Sequence, residues 1–185
     1  MPLHFHDLDV VSQVREFRSA LIVPCNVCPA TTIASRKKRP FFRLFSNFLK
    51  SAPFEEYLTA LQDRLAKYGV RTKVFRNNLP HQWFLCMWPA ARQKKLRKNA
   101  QHYEVVIVLG CESAAETVRD SIQSTSCRVI EGMKTTGIMN TRLCFTLPAN
   151  ISFQDSRIIP FSSEQKEKPE DVSDESLRLQ KKESC

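Results

Sequence analysis

The sequence predicts an α/β fold, an open and mainly parallel sheet with helices on both faces. Two observations carry this expectation. Helical and strand patterns alternate along the chain in the order α-β-α-β-α-β-α-β, which implies parallel strands joined by helical crossovers. Residues 105–109, VVIVL, are apolar at every position, the pattern of a strand buried on both faces.

The elements follow in order. Residues 9–18 (DVVSQVREFR) put Val10, Val14 and Phe17 on one face of a short amphipathic helix. Residues 20–23 form the first strand, and residues 29–50 a long connection that Pro40 keeps from being one helix. A helix then runs from a Ser51 cap to Gly69, with Pro53 in its first turn and Glu55 and Glu56 at its positive end. Its inner positions are Phe54, Tyr57, Leu58, Leu61 and Leu65. Residues 70–75 alternate as a second strand. Residues 76–88 form a loop longer than such units need, and a basic helix follows from Pro89 to about residue 101. After the strand at 105–109, Ser113 and Glu116 have capping-box spacing, and Ala115, Val118 and Ile122 make the inner face. Residues 127–131 read as a fourth strand, 132–141 as loop and 142–147 as a last extended segment. Residues 1–161 thus form one α/β domain. Residues 162–185, with seven acidic and five basic residues and almost no large apolar ones, read as a disordered charged tail.

The chain has 185 residues, 42% of them hydrophobic, enough for a core. No apolar run approaches the roughly 20 residues of a membrane-spanning helix, and the N-terminus lacks the apolar stretch of a secretory signal. The net charge of +9 makes contact with an anion plausible. Seven cysteines, an odd count without a signal, point to a reducing, cytoplasmic setting in which spaced thiols bind metal or do redox chemistry.

Four of the cysteines are expected at one place. In a Rossmann/flavodoxin-like sheet of order 2-1-3-4, the first and third strands are neighbours, and ligands bind beyond their C-terminal ends. Cys25 and Cys28 follow the first strand and Cys111 the third, while Cys86 lies in the overlong loop just before a helix. Four thiolates can hold tetrahedral zinc or an iron–sulfur cluster, and the helix N-termini after the strands favour their negative charge. A redox-active dithiol at Cys25 and Cys28 and inert buried thiols stay open as alternatives. The dithiol alternative is weakened because a thioredoxin-type C-x-x-C opens a helix directly, whereas a long loop is expected here. Cys127 and Cys144 are expected in the core, Cys185 in the tail, and His4 and His6 in a loose terminus. His81 stands near Cys86 in the long loop. No glycine-rich phosphate loop or nucleophile elbow occurs.

A strand ending in C-x-x-C, a lone Cys before a helix, LGCESAAETV at 109–118 and VIEGMKTTGIMNT at 129–141 occur in that order. This order, over roughly residues 12–150, resembles the C-terminal-type domain associated with methylenetetrahydrofolate reductase, a zinc- or iron–sulfur-binding accessory subunit of acetogens and related anaerobes. The resemblance implies Cys25, Cys28, Cys86 and Cys111 as ligands of zinc or a [4Fe–4S] cluster, with a flavin-containing reductase subunit as partner and a role in one-carbon metabolism or electron transfer. The turn here carries Glu112 where that family has glycine.

The segment RKKRPFFRLFSNFLK, 36–50, interleaves six basic residues with four phenylalanines. After Pro40, Phe41, Leu44, Phe45 and Phe48 share one helical face. Three readings stand: a helix covering the sheet, a docking segment for a protein partner, or peripheral contact with an anionic membrane through residues 36–50. Nucleic acid is the less favoured partner. The function class that competes with a metal-binding accessory domain is therefore a non-enzymatic interaction module. The second basic run, 92–98, is expected to be a solvated helix face.

Overall fold

The computed structural model describes residues 2–43, 51–76, 84–146 and 150–161. Four strands make a parallel sheet: β2 (Ser19–Pro24), β4 (Arg71–Val74), β5 (Val105–Leu109) and β6 (Arg128–Glu131). They lie in the spatial order β4-β2-β5-β6, which is 2-1-3-4 when these four are counted along the chain. All five β5 residues are buried, as their unbroken apolar run requires.

Helices cover both faces. On one lie α1 (Val10–Val14), α2 (Cys28–Arg36) and α3 (Ala52–Ala66), packed against Ala20, Ile22, Val105, Ile107 and Leu109. On the other lie α4 (Ala90–Ala100) and α5 (Glu112–Ile122), against Leu21, Val23, Val106 and Val108. Odd and even strand positions thus feed two separate cores. The Arg97 side chain joins α4 to α5 by donating to the Ser121 carbonyl at 2.9 Å.

A second, antiparallel sheet accompanies this one, in the order β1-β7-β8-β3. It comprises β1 (Leu3–Asp7), β3 (Phe42–Arg43), β7 (Met133–Thr146) and β8 (Asn150–Pro160). The expectation of one mainly parallel sheet is therefore corrected: half of the strands are antiparallel. The terminus expected to be loose is β1, with His4 Nδ1 2.9 Å from Thr136 Oγ1. The loop expected at 132–141 is the first part of β7. Its alternation is broken by a bulge between Asn140 and Arg142, and much of its surface stays wet, so the period-2 signal is faint.

The connection expected at 29–50 is corrected too, since it opens with α2. Ala30, Thr31, Thr32, Ile33 and Ala34 are all buried, so α2 holds two threonines inside where a sequence pattern would place them on a wet face. It is a middle layer, sharing one core with Phe5 of β1, Met133 of β7 and the parallel sheet. Phe41 and Phe42 pair with β8 rather than forming a helix, and the Phe41 ring meets that of Phe153 at a tilt, with centroids 5.2 Å apart. Residues 44–50, which carry the rest of the expected aromatic face, and the tail 162–185 lie outside the described residues. Among the described residues no helix is long and apolar enough to cross a membrane.

One residue joins the sheets. β6 ends at Glu131 and β7 starts at Met133, and Gly132 between them donates to the Val108 carbonyl at 2.8 Å and accepts from Leu8 N–H at 3.1 Å. A Cβ on Gly132 would stand 2.6 Å from Leu109 Cδ2 and 3.1 Å from Val10 Cγ2. Gly132→Ala therefore overpacks the seam and should cost about 1–3 kcal/mol. The expected readout is a lower urea midpoint with an unchanged slope; an unshifted midpoint would show that Leu109 swings aside freely.

Candidate functional site

The site begins with how β2 ends. Pro24 has no N–H, and the next residue, Cys25, donates instead to the Leu109 carbonyl at 2.8 Å. Cys25 is thereby fixed at the C-terminal end of β5, where Gly110 and Cys111 follow. A Cβ on Gly110 would stand 2.7 Å from Ala114 Cβ and 3.5 Å from Cys25 Cβ, so glycine lets the three backbones meet.

Each of the other thiols comes from its own element. Cys28 is the first residue of α2, and Cys111 is the N-cap of α5 with an extended backbone. Cys86 sits in a 3-10 turn, Leu85–Met87, that precedes α4. The four cysteines expected together are thus brought to one edge of the parallel sheet. Cys25 is 5% exposed, Cys28 and Cys111 are half-buried, and Cys86 is exposed.

The thiols feel one another. Burial pushes Cys25 up to about 11; the N–H groups of Leu85 and Val27 pull the other way, and charge on Cys28 or Cys111 pushes it higher still. Burial also raises Cys28, with Cys111 and Cys86 adding to it, and burial followed by Cys111 raises Cys86. Cys111 is the common neighbour of the other three. The thiols form a neighbourhood rather than a closed shell. Among the described residues no group of three or more Cys, His, Asp or Glu side chains is arranged to hold a metal ion.

The second sheet supplies parts that no sequence pattern announced. The Leu3 N–H of β1 points at the Cys28 sulfur. Thr135 of β7 donates to Glu112 at 2.7 Å, so the carboxylate beside Cys111 has a partner. β1 owes its place to a pairing with β7 across more than a hundred residues, which local spacing does not encode.

The expected loop after C-x-x-C is corrected here, because α2 starts at Cys28 itself. That start resembles a redox dithiol, but the raised thiols oppose it, since an attacking cysteine needs thiolate near neutral pH. Cys127, just before β6, is half-buried, and burial pushes it up to about 11. Cys144 is buried on β7 as expected. His81 lies outside the described residues.

The first basic run is engaged within the fold, while Lys94, Lys95 and Lys98 of the second are exposed as expected. Arg36 pairs with Asp7 at 3.1 Å, and Lys37 and Arg39 pair with Glu56 at 3.0 and 2.6 Å. Arg92 corrects the expectation of a solvated face: it is 7% exposed, and its guanidinium carbon lies 4.0 Å from the centre of the Phe75 ring. The i, i+4 partner Leu96 on the same buried face was the signal available in the sequence. No family model matches the chain, and no curated protein or solved structure matches it either.

Only the thiolate is alkylated, so a raised thiol reacts slowly at neutral pH and gains rate as pH approaches its own ionisation. With iodoacetamide, Cys86 should be modified first and Cys25 last, and the Cys25 rate should still be climbing toward pH 11. Peptide mass mapping across pH 7–10.5 reads this order. Fast modification of Cys25 at pH 7 would mean that its burial is not what controls it.

Proposed function

We propose that the chain is a metal- or iron–sulfur-binding accessory domain of a redox complex. Cys25, Cys28, Cys86 and Cys111 would be the ligands. The single observation behind this is that four cysteines from four separate elements gather at the C-terminal edge of one parallel sheet, where their charges act on one another. The edge is the ligand-binding edge of a flavodoxin-like sheet, which is the finer reading of this strand order.

The residues fit a soft metal. All four donors are sulfur, the class that takes zinc or an iron–sulfur cluster rather than calcium or magnesium. α2 and α5 begin at the site, and N–H groups of Leu85, Val27 and Leu3 face its sulfurs, so negative charge is met by donors. Closing a coordination shell requires the side chains to leave the positions they now occupy. A zinc ion would cross-link the edge, and a cluster would relay electrons. The resemblance described above adds the setting: a cytoplasmic complex of one-carbon metabolism, with a flavin-containing reductase subunit as partner.

Anaerobic purification followed by elemental analysis and a visible spectrum tests the proposal. The expected result is zinc near one per chain, or iron with broad absorbance characteristic of thiolate-bound clusters. Cys111→Ser should release most of it, whereas Cys127→Ser, remote from the site, should retain it. Metal-free protein, or full retention in Cys111→Ser, ends the proposal. Metal-free protein that forms a Cys25–Cys28 disulfide under mild oxidation would favour the dithiol oxidoreductase, the reading that the helix start at Cys28 supports.

A further inference from the structure

A cleft of about 480 Å³ opens between β4 and α4, and none of the four thiols is among the described residues that line it. Its charged lining is Lys73, Arg76, Arg92 and Lys95, with Thr72 and Asn99 adding neutral polar groups. No carboxylate is among the described residues that line it. Glu55 pairs with Arg76 from α3 and offsets only that one charge.

Bringing these cations together is unfavourable by itself. Arg92 and Lys95 are three apart on α4, the spacing at which like charges on a helix repel. Arg92 is also buried, and desolvation lowers its pKa. The fold nevertheless holds it in place. Its guanidinium lies over Phe75 at 4.0 Å and near Trp88 at 5.2 Å, and one Nη donates to the Arg76 carbonyl. Arginine and lysine charges gathered without a carboxylate among the described lining residues suit phosphate oxygens, and Thr and Asn add directed polar groups. The cleft runs along β4, the edge strand of the parallel sheet, from Thr72 to Arg76 just past its C-terminal end. Its size is in the range of small-molecule sites.

We infer that this cleft binds the phosphate groups of a phosphorylated small molecule, of which a diphosphate is the simplest. This goes beyond the metal-binding reading and does not depend on it: the cleft needs no thiol, and the thiols need no phosphate.

Titration calorimetry of the full chain with pyrophosphate, at ionic strength held constant with chloride, tests it. Saturable binding at one site per chain is expected. The double variant Lys73→Gln/Lys95→Gln removes two exposed charges without touching the core and should weaken binding at least about tenfold, or 1.4 kcal/mol. Lys134→Gln, on the antiparallel sheet, should leave it unchanged. Arg92→Lys keeps the charge and loses the fork, and should weaken pyrophosphate several-fold; circular dichroism shows whether it has folded, and the double variant decides the question if it has not. Absence of saturable binding, an unaffected double variant, or an equal loss in Lys134→Gln overturns the inference. A single-stranded oligonucleotide that binds through the same two lysines while pyrophosphate does not also overturns it, in favour of a nucleic-acid surface.

Discussion

The pairing of β2 with β5, from Ala20 opposite Val105 to Pro24 opposite Leu109, is the constraint on which the rest depends. It sets which positions face which layer of helices, and a slip of one residue would turn every side chain of a strand to the other face. Because all of Leu21, Ile22, Val106 and Ile107 are buried, neither face tolerates such a slip. The same register carries the ladder one step past Pro24, so that Cys25 ends against Leu109. The gathering of thiols is thus a by-product of core packing: apolar burial holds the strands in register, and the register holds the sulfurs.

The antiparallel sheet acts on this frame through α2. That helix is buried between the two sheets, and Arg36 at its end reaches back to β1, where it meets the Asp7 carboxylate and the Phe5 carbonyl. Because Cys28 opens the same helix, one rigid rod carries a thiol at its head and a clamp on the second sheet at its tail. The helix and the sheet edge therefore position the site as one body, and the antiparallel sheet is part of the site's support.

What the sequence disclosed follows from how each element is stabilised. α3 was legible because Phe54, Leu58, Leu61 and Leu65 repeat at helical spacing behind a proline in the first turn. β5 was legible because nothing but a doubly buried strand needs five apolar residues in succession. The thiol edge was legible once the strand order was assumed, since order alone makes Cys25 and Cys111 neighbours. The antiparallel sheet was not. β8 has no fully buried residue and its second half is exposed on both faces, β7 carries a bulge and an internal glycine, and β1 owes its place to a partner far along the chain. α2 was hidden because Pro29 to Ala34 are buried in succession, and Arg92 because its neighbours in sequence are solvated lysines.

The pairing of β1 with β7 has a consequence for how the molecule assembles. Leu3 lies opposite Ile138, so the first strand of the chain finds its partner only after most of the chain has been made. The strands of the parallel sheet all lie from β2 to β6, interrupted by β3 of the antiparallel sheet, and can pair earlier, whereas closing a loop of that length is entropically costly and late. During synthesis the N-terminal strand waits, its hydrogen-bonding groups unmet, while the body behind it folds. Its arrival brings Leu3 to Cys28, and so the pairing of β1 with β7 also completes the wall of the thiol site.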